Sequence, residues 1–399
     1  MGAMQIKPQV HWVGVNDHTT DLFEGLWPLQ PAGVSYNAYL VNDEEPALID
    51  PVRVSKSQMF LEHVAEVVDP ADLSYLILHH MEQDHTSSLN ILRRINPDCT
   101  IVCTEKATEM LESFYGITEN VTVVEDGDTL ELGETTLHFF STPFVHWPET
   151  MMTYDPGRQV LFSGDAFGTF GTVDGTVFAE DSGHLDFYEE EGLRYFADVV
   201  AKFSKMVLRA IDKLEDVPVD VIAPAHGPIW RETPEQIVEW YVKWSGYAAG
   251  PAEPRVSLVY GSMYGFTERM AQAVAEGVAE AGVPFDLFDA GRVHPGFILP
   301  SIWRSSGVLI GAPTYEGEVF PPLRQLLRLV VTKSPKNRTA GFFGSHGWAG
   351  GAGREVREIL EPLDWQFAEP VDFAGKPTQA DLDEGRALGR AIAESVQKQ

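Results

Sequence analysis

Short apolar runs alternate with stretches of helical periodicity along the whole chain. In the first 250 residues several runs end on a polar side chain followed by a loop: LSYLILH, LHFFSTP, QVLFSGD and DVIAPAH. Continuous apolar runs of this length read as strands buried on both faces, and their shared ending predicts side chains delivered to a common rim. The small residues and prolines of WSGYAAGPAEPRV, from Trp244, have linker composition and predict a division into residues 4–250 and 251–399. Beyond it the alternation is regular: RVSLVY, a Gly-containing loop, helix TERMAQAVAEGVAEAG, FDLFDA, SGVLIGAPTY, helix PPLRQLLRLVV, TAGFFGSHG, helix GREVREILEPL and a short strand near residue 371. That is the order of a parallel, doubly wound α/β sheet.

Composition agrees with two domains, since 399 residues at 44% hydrophobic content exceed one ordinary core. No apolar run has the length of a membrane span, and the start lacks the pattern of a signal peptide, so a cytoplasmic protein is expected. Charge is uneven. Residues 1–250 carry 14 basic against 41 acidic side chains, a formal −27, whereas residues 251–399 carry 15 against 18, a formal −3. An acidic surface of that kind repels phosphate backbones, which argues against nucleic acid as a partner. The two cysteines, Cys99 and Cys103, supply neither a disulfide framework nor the four thiolates of an iron–sulfur site. Their spacing in CTIVC puts both on one face of a strand as buried thiols.

Candidate chemistry is concentrated in LILHHMEQDHTSSL, residues 76–89. His80, Glu82 and Asp84 stand at alternate positions, so an extended backbone would point them one way, with His85 at the turn into helix SSLNILRRI. His79 has the opposite parity and is expected to support the structure rather than bind. Three more candidates follow apolar runs: His146 in TPFVHWPE, Asp165 in LFSGDAFG and His226 in APAHGP. Seven N/O ligands including one bridging carboxylate suit two adjacent metals. His63, His138 and His184 read as solvated or hydrogen-bonded residues.

HMEQDH resembles the HxHxDH signature of the metallo-β-lactamase fold, whose usual members hold two zincs. It departs where Glu82 replaces the second histidine. An anionic oxygen ligand in place of imidazole hardens the set and favours iron. His80, Glu82 and His146 would serve one iron, Asp84, His85 and His226 the other, and Asp165 would bridge.

The loop YGSMYGFTERMA leads from a strand into a helix, where backbone N–H groups cradle phosphate. It resembles the flavodoxin phosphate loop. Its Ser262, Met263, Tyr264, Gly265, Phe266 and Thr267 are candidate flavin contacts. So are Pro313, Thr314, Tyr315 and Glu316 in APTYEGEVFPP, and Ser345, His346, Gly347, Trp348 and Gly351 in FGSHGWAGGAG. With no arginine in SMYGFT and no second dinucleotide loop, FMN is preferred.

Both constellations, in this order and with this linker, resemble the flavodiiron protein family, also called A-type flavoproteins, over essentially the whole chain. The resemblance implies a metallo-β-lactamase-like αββα domain with a non-haem di-iron centre, then a flavodoxin-like FMN domain. It implies four-electron reduction of O₂ to water, two-electron reduction of NO to N₂O, or both. Tyr195 matches a tyrosine on the open side of the irons in relatives. The family arrangement further implies a head-to-tail homodimer, or a tetramer of such dimers, and a separate donor such as a rubredoxin or a reduced deazaflavin. Two rival readings are a di-zinc hydrolase fused to a flavodoxin domain and a non-enzymatic electron carrier.

Overall fold

In the computed structural model, which describes residues 2–398, the chain forms two compact units. The first comprises the chain up to Phe196 together with Lys205–Val242, and the second Ala197–Ser204 with the chain from Lys243 onward. The short segment Ala197–Ser204 thus packs with the second unit, an excursion that a linear division at residue 250 does not contain. No helix among the described residues is long and apolar enough to cross a membrane.

The first unit is built on two sheets. One runs in the order Met4–Lys7, Val10–Trp12, Tyr39–Val41, Ala47–Ile49, Tyr75–Ile77, Thr100–Cys103, Val121–Val123. The other runs Thr129–Glu131, Thr136–Ser141, Met151–Asp155, Val160–Gly164, Val221–Pro224. Side chains from both, among them Trp12, Tyr39, Ile77, Val102, Phe139 and Phe162, form one buried cluster. Met151–Asp155, Val160–Gly164 and Val221–Pro224 are buried at every position, as strands covered on both faces must be. The segments after Tyr75–Ile77, Val160–Gly164 and Val221–Pro224, with the loop between Thr136–Ser141 and Met151–Asp155, carry the polar residues of the candidate metal site.

The second unit has a parallel sheet in the order Phe285–Asp289, Glu253–Tyr260, Ser305–Tyr315, Thr339–His346, Gln366–Phe367, with Val371–Ala374 also pairing Thr339–His346. The chain reverses direction of travel across the sheet between Glu253–Tyr260 and Ser305–Tyr315, and ligands bind at such switch points. Two helices absent from the sequence reading complete this unit, Pro295–Arg304 and Gln379–Val396. The latter packs on Phe266–Glu280 closely enough that a Cβ on Gly277 would lie 2.0 Å from Arg386 O, and one on Gly389 2.0 Å from Val274 O. Only glycine fits this crossing.

Candidate functional site

The strand Tyr75–Ile77 stops three residues before His80, the chain bends at His79, and Glu82 is extended with φ −64° and ψ 147°. There the expected alternation ends. Gln83–Thr86 is a short helix, so Asp84 and His85 lie on a helical turn rather than in line with His80. The change of period splits the motif. His80 and Glu82 join His146 and Asp165 in one group of potential ligands, and Asp84 and His85 join His226 in another.

Asp165, at the end of Val160–Gly164, faces both groups. Its Oδ2 lies 3.3 Å from His80 Nε2 and 2.9 Å from His146 Nε2. Its Oδ1 lies 3.2 Å from His85 Nε2 and 3.5 Å from His226 Nε2. Glu82 Oε2 is 3.0 Å from His146 Nε2 and 3.7 Å from His80 Nε2, and Asp84 Oδ2 is 3.3 Å from His226 Nε2 and 3.4 Å from His85 Nε2. All seven predicted residues meet, and His80, His85, His226 and Asp165 are fully buried.

This set fits a pair of cations. Nε2 of His80, His85 and His226 and both oxygens of Asp84 and Asp165 have no hydrogen-bond partner among the described residues. Buried polar atoms left in this way are costly. His226 Nδ1 donates to Ser35 O at 2.8 Å, which fixes the tautomer and turns the Nε2 lone pair toward the carboxylates. Without metal, the cluster draws protons instead. Burial opposes charge on His146 and His226, but the Asp165 carboxylate, with Glu82 or Asp84, outweighs it and raises them to about 9 and about 10. Burial alone would raise Asp165, yet the imidazoles, His80 foremost, hold it well below the usual carboxylate range. The site calls for positive charge at its centre.

His79 points away, as its parity requires. Its Nδ1 lies 2.7 Å from Asp50 Oδ2 and its Nε2 2.9 Å from Thr153 Oγ1. His63 is likewise bonded, through Nδ1, to Gly14 O at 2.8 Å. Tyr195 ends the helix Leu185–Tyr195 fully buried, its hydroxyl without a hydrogen-bond partner among the described residues. Burial first, and then the Asp165 charge, push the phenol well above its ordinary range. Residues missed by the sequence reading complete the wall. Phe23 stands edge-on to His226 at 5.2 Å between ring centroids, and Phe170 packs on Phe23 and Tyr195 at 5.5 and 5.2 Å. Next to Phe23 in the chain, Glu24 Oε2 accepts from Trp27 Nε1 at 2.9 Å.

In the second unit, three loops at the switch point enclose a cavity of about 420 Å³, within the range of cofactor sites. Ser262, Met263, Tyr264, Phe266 and Thr267 line it from the first loop, Pro313, Thr314, Tyr315 and Glu316 from the second, and Ser345, His346, Gly347 and Trp348 from the third. Two predicted contacts act from behind. Gly265, at φ +85°, makes the turn into the helix Phe266–Glu280, and its amide donates to Ser262 Oγ at 3.0 Å. Gly351 donates to Thr314 Oγ1 at 3.2 Å. Gly375 lines the cavity and was not anticipated. No side chain caps that helix, which leaves its first amides for an anion. Trp348 and Tyr264 are 96% and 85% exposed, large aromatic faces without cover in this unit. The cradle fits a flavin mononucleotide.

Both halves of the chain have counterparts among known proteins. Residues 34–227 match the ODP family beta lactamase, and residues 258–389 match flavodoxin. The anaerobic nitric oxide reductase flavorubredoxin of Escherichia coli O1:K1 is 36% identical over 397 residues, covering 98% of this chain and 82% of the relative. Among solved structures, rubredoxin oxygen:oxidoreductase from Desulfovibrio gigas superposes with a TM-score of 0.94 at 30% identity, covering 99% of each chain. The flavodiiron protein from Giardia intestinalis gives 0.93 at 27% identity, covering 100% of this chain and 97% of its own.

Proposed function

Because the chain belongs to the flavodiiron protein family, we propose that it reduces O₂ to water, NO to N₂O, or both, at a di-iron centre supplied with electrons through FMN. The observation that carries this reading is Asp165, which offers one oxygen to each of two ligand groups of two imidazoles and one further carboxylate apiece. Such a hard, oxygen-rich set suits iron.

His80, Glu82 and His146 would hold one iron and Asp84, His85 and His226 the other, with Asp165 between. The pair supplies open coordination positions and electrons for a small diatomic ligand. Around it, the protein's own part is exclusion and proton supply. Phe23 and Phe170 keep water from the His226 side, so dipoles near the reacting ligand act in a dry environment. Tyr195 keeps its phenolic proton throughout the physiological range and donates from its hydroxyl oxygen toward that side. Both reductions consume protons as they consume electrons. In the second unit, Ser262, Thr267 and the first amides of Phe266–Glu280 would hold the FMN phosphate, with Tyr315 and Trp348 as the candidates to line its ring.

A separate carrier brings electrons to the FMN. A rubredoxin is the favoured donor, and a reduced deazaflavin the alternative. The working assembly is a head-to-tail homodimer, or a tetramer of such dimers, in which FMN of one protomer serves the irons of its partner. The formal charges of −27 and −3 allow the two kinds of domain to meet with little repulsion. Mixing a metal-deficient with a flavin-deficient variant should restore turnover only if electrons cross between protomers.

The deciding experiment is anaerobic: iron-loaded, reduced protein is exposed to NO and, separately, to O₂, and consumption of each gas is followed. Failure to consume either, with zinc bound and iron refused, would overturn the reading.

A further inference from the structure

Two buried carboxylates outside the ligand groups bracket the segment that carries His80 and Glu82. On one side Asp50 Oδ1 accepts the His79 amide at 2.9 Å. On the other, Glu149 Oε1 accepts the Met81 amide at 2.9 Å. That amide lies between the two ligands, so fixing it fixes the stretch of backbone from which both side chains project.

Glu149 is 3% exposed, and its Oε2 has no hydrogen-bond partner among the described residues. A carboxylate buried with one oxygen unserved costs free energy, and stability alone does not account for it. Its place is well defined: its carbonyl accepts from Thr104 Oγ1 at 3.0 Å, and the nearby Met151 amide donates to His79 O at 3.0 Å. His146 leaves the same loop three residues earlier, and Thr150 Oγ1 closes the intervening turn on Trp147 O at 2.7 Å. The Glu149–Met81 hydrogen bond therefore joins the loop of His146 to the segment of His80 and Glu82. Those three residues, with Asp165, form one ligand group. The other group gains nothing directly from this tie, because Asp84 and His85 stand on the helix Gln83–Thr86 and His226 follows a different strand.

We propose that Glu149 is a positioning residue for the His80–Glu82–His146 half of the centre, acting through the Met81 amide. It sets the two segments in register, so one metal position depends on it far more than the other. The inference rests on the di-iron reading above.

The test compares wild type, Glu149→Ala and Glu149→Gln, all made with ample iron, for iron and FMN per chain and for the electron paramagnetic resonance of the oxidised centre. E149A should hold about half the wild-type iron, with an isolated high-spin ferric signal in place of a coupled pair, and should keep its FMN. E149Q, whose side-chain carbonyl can accept the same amide, should hold the wild-type complement. Where the alanine variant does not fold, Glu149→Asp, one methylene short of the amide, replaces it with the same expected loss. Full iron and an unchanged spectrum in the shortened variant would overturn the proposal, as would equal loss in E149Q, which would make charge rather than the hydrogen bond decisive. Wild type without a coupled iron pair would instead overturn the di-iron reading itself.

Discussion

The ring of Tyr195 stands 5.8 Å from that of His226, both fully buried, and the Tyr195 hydroxyl has no hydrogen-bond partner among the described residues. A hydroxyl kept dry beside a metal ligand is available to a guest rather than to the protein. Tyr195→Phe should therefore lower turnover roughly tenfold, the worth of one hydrogen bond, while leaving stability unchanged or higher by about 1 kcal/mol. Gas-consumption rates and thermal unfolding measured on the same preparation check both halves. Full turnover in the variant would reduce Tyr195 to a packing residue.

Glu82 distinguishes this ligand set from that of the zinc hydrolases. Replacing its anionic oxygen with imidazole softens one metal position, so Glu82→His should take up more zinc relative to iron and lose oxidase or NO reductase activity. Elemental analysis after growth with both metals present gives the ratio. An unchanged ratio would remove the carboxylate from the explanation of metal choice.

A bridging Asp165 would compensate the mutual repulsion of two cations. Asp165→Ala should lose metal from both groups yet retain FMN, because the flavin loops belong to the other unit. Iron and flavin stoichiometry on one sample decide this. Retention of two irons per chain would exclude the bridging role.

Cys99 and Cys103 give a pH prediction. Burial raises the Cys99 thiol to about 11, slightly eased by Arg93, and the Cys103 thiol to about 12. Both folded values lie above the ordinary 9.0. Their contribution to stability is thus complete below pH 9 and is lost as pH rises toward 11 and 12. Iodoacetamide at pH 8 should label neither thiol in the folded protein and both after unfolding in urea, and the melting temperature should fall from pH 9 upward. Rapid labelling of the native protein would contradict the burial that causes the shift.

The sequence made the metal site legible because so many of its ligands are neighbours in the chain, and an unusual density of chemistry needs no fold to be noticed. What it concealed was the backbone behind the division of HMEQDH between two groups. That division comes from a helical turn beginning at Gln83, too short to leave a periodic signal. Phe23 and Phe170 were hidden for the opposite reason: an apolar ring carries no mark of what it packs against. Pro295–Arg304 carries Pro300 in its interior, which interrupts the pattern of an otherwise apolar helix. In Gln379–Val396 the glycines that weaken the helical pattern are those that permit its crossing with Phe266–Glu280. Glu149 was invisible because its function lies in a backbone amide of another segment, which no side-chain pattern records.

The ligands reach the rim from four separated places in the chain, the span His80–His85 and then His146, Asp165 and His226. A filled centre therefore closes three long loops at once, and loops of that length lose substantial entropy on closure. By mass action, whatever binds the folded form alone adds stability in proportion to the logarithm of its free concentration. The first unit's resistance to unfolding and proteolysis thus rises and falls with available iron, while that of the second follows flavin. A chain starved of iron becomes a better substrate for degradation, so scarcity of the metal would thin the population of empty enzyme without any dedicated sensor.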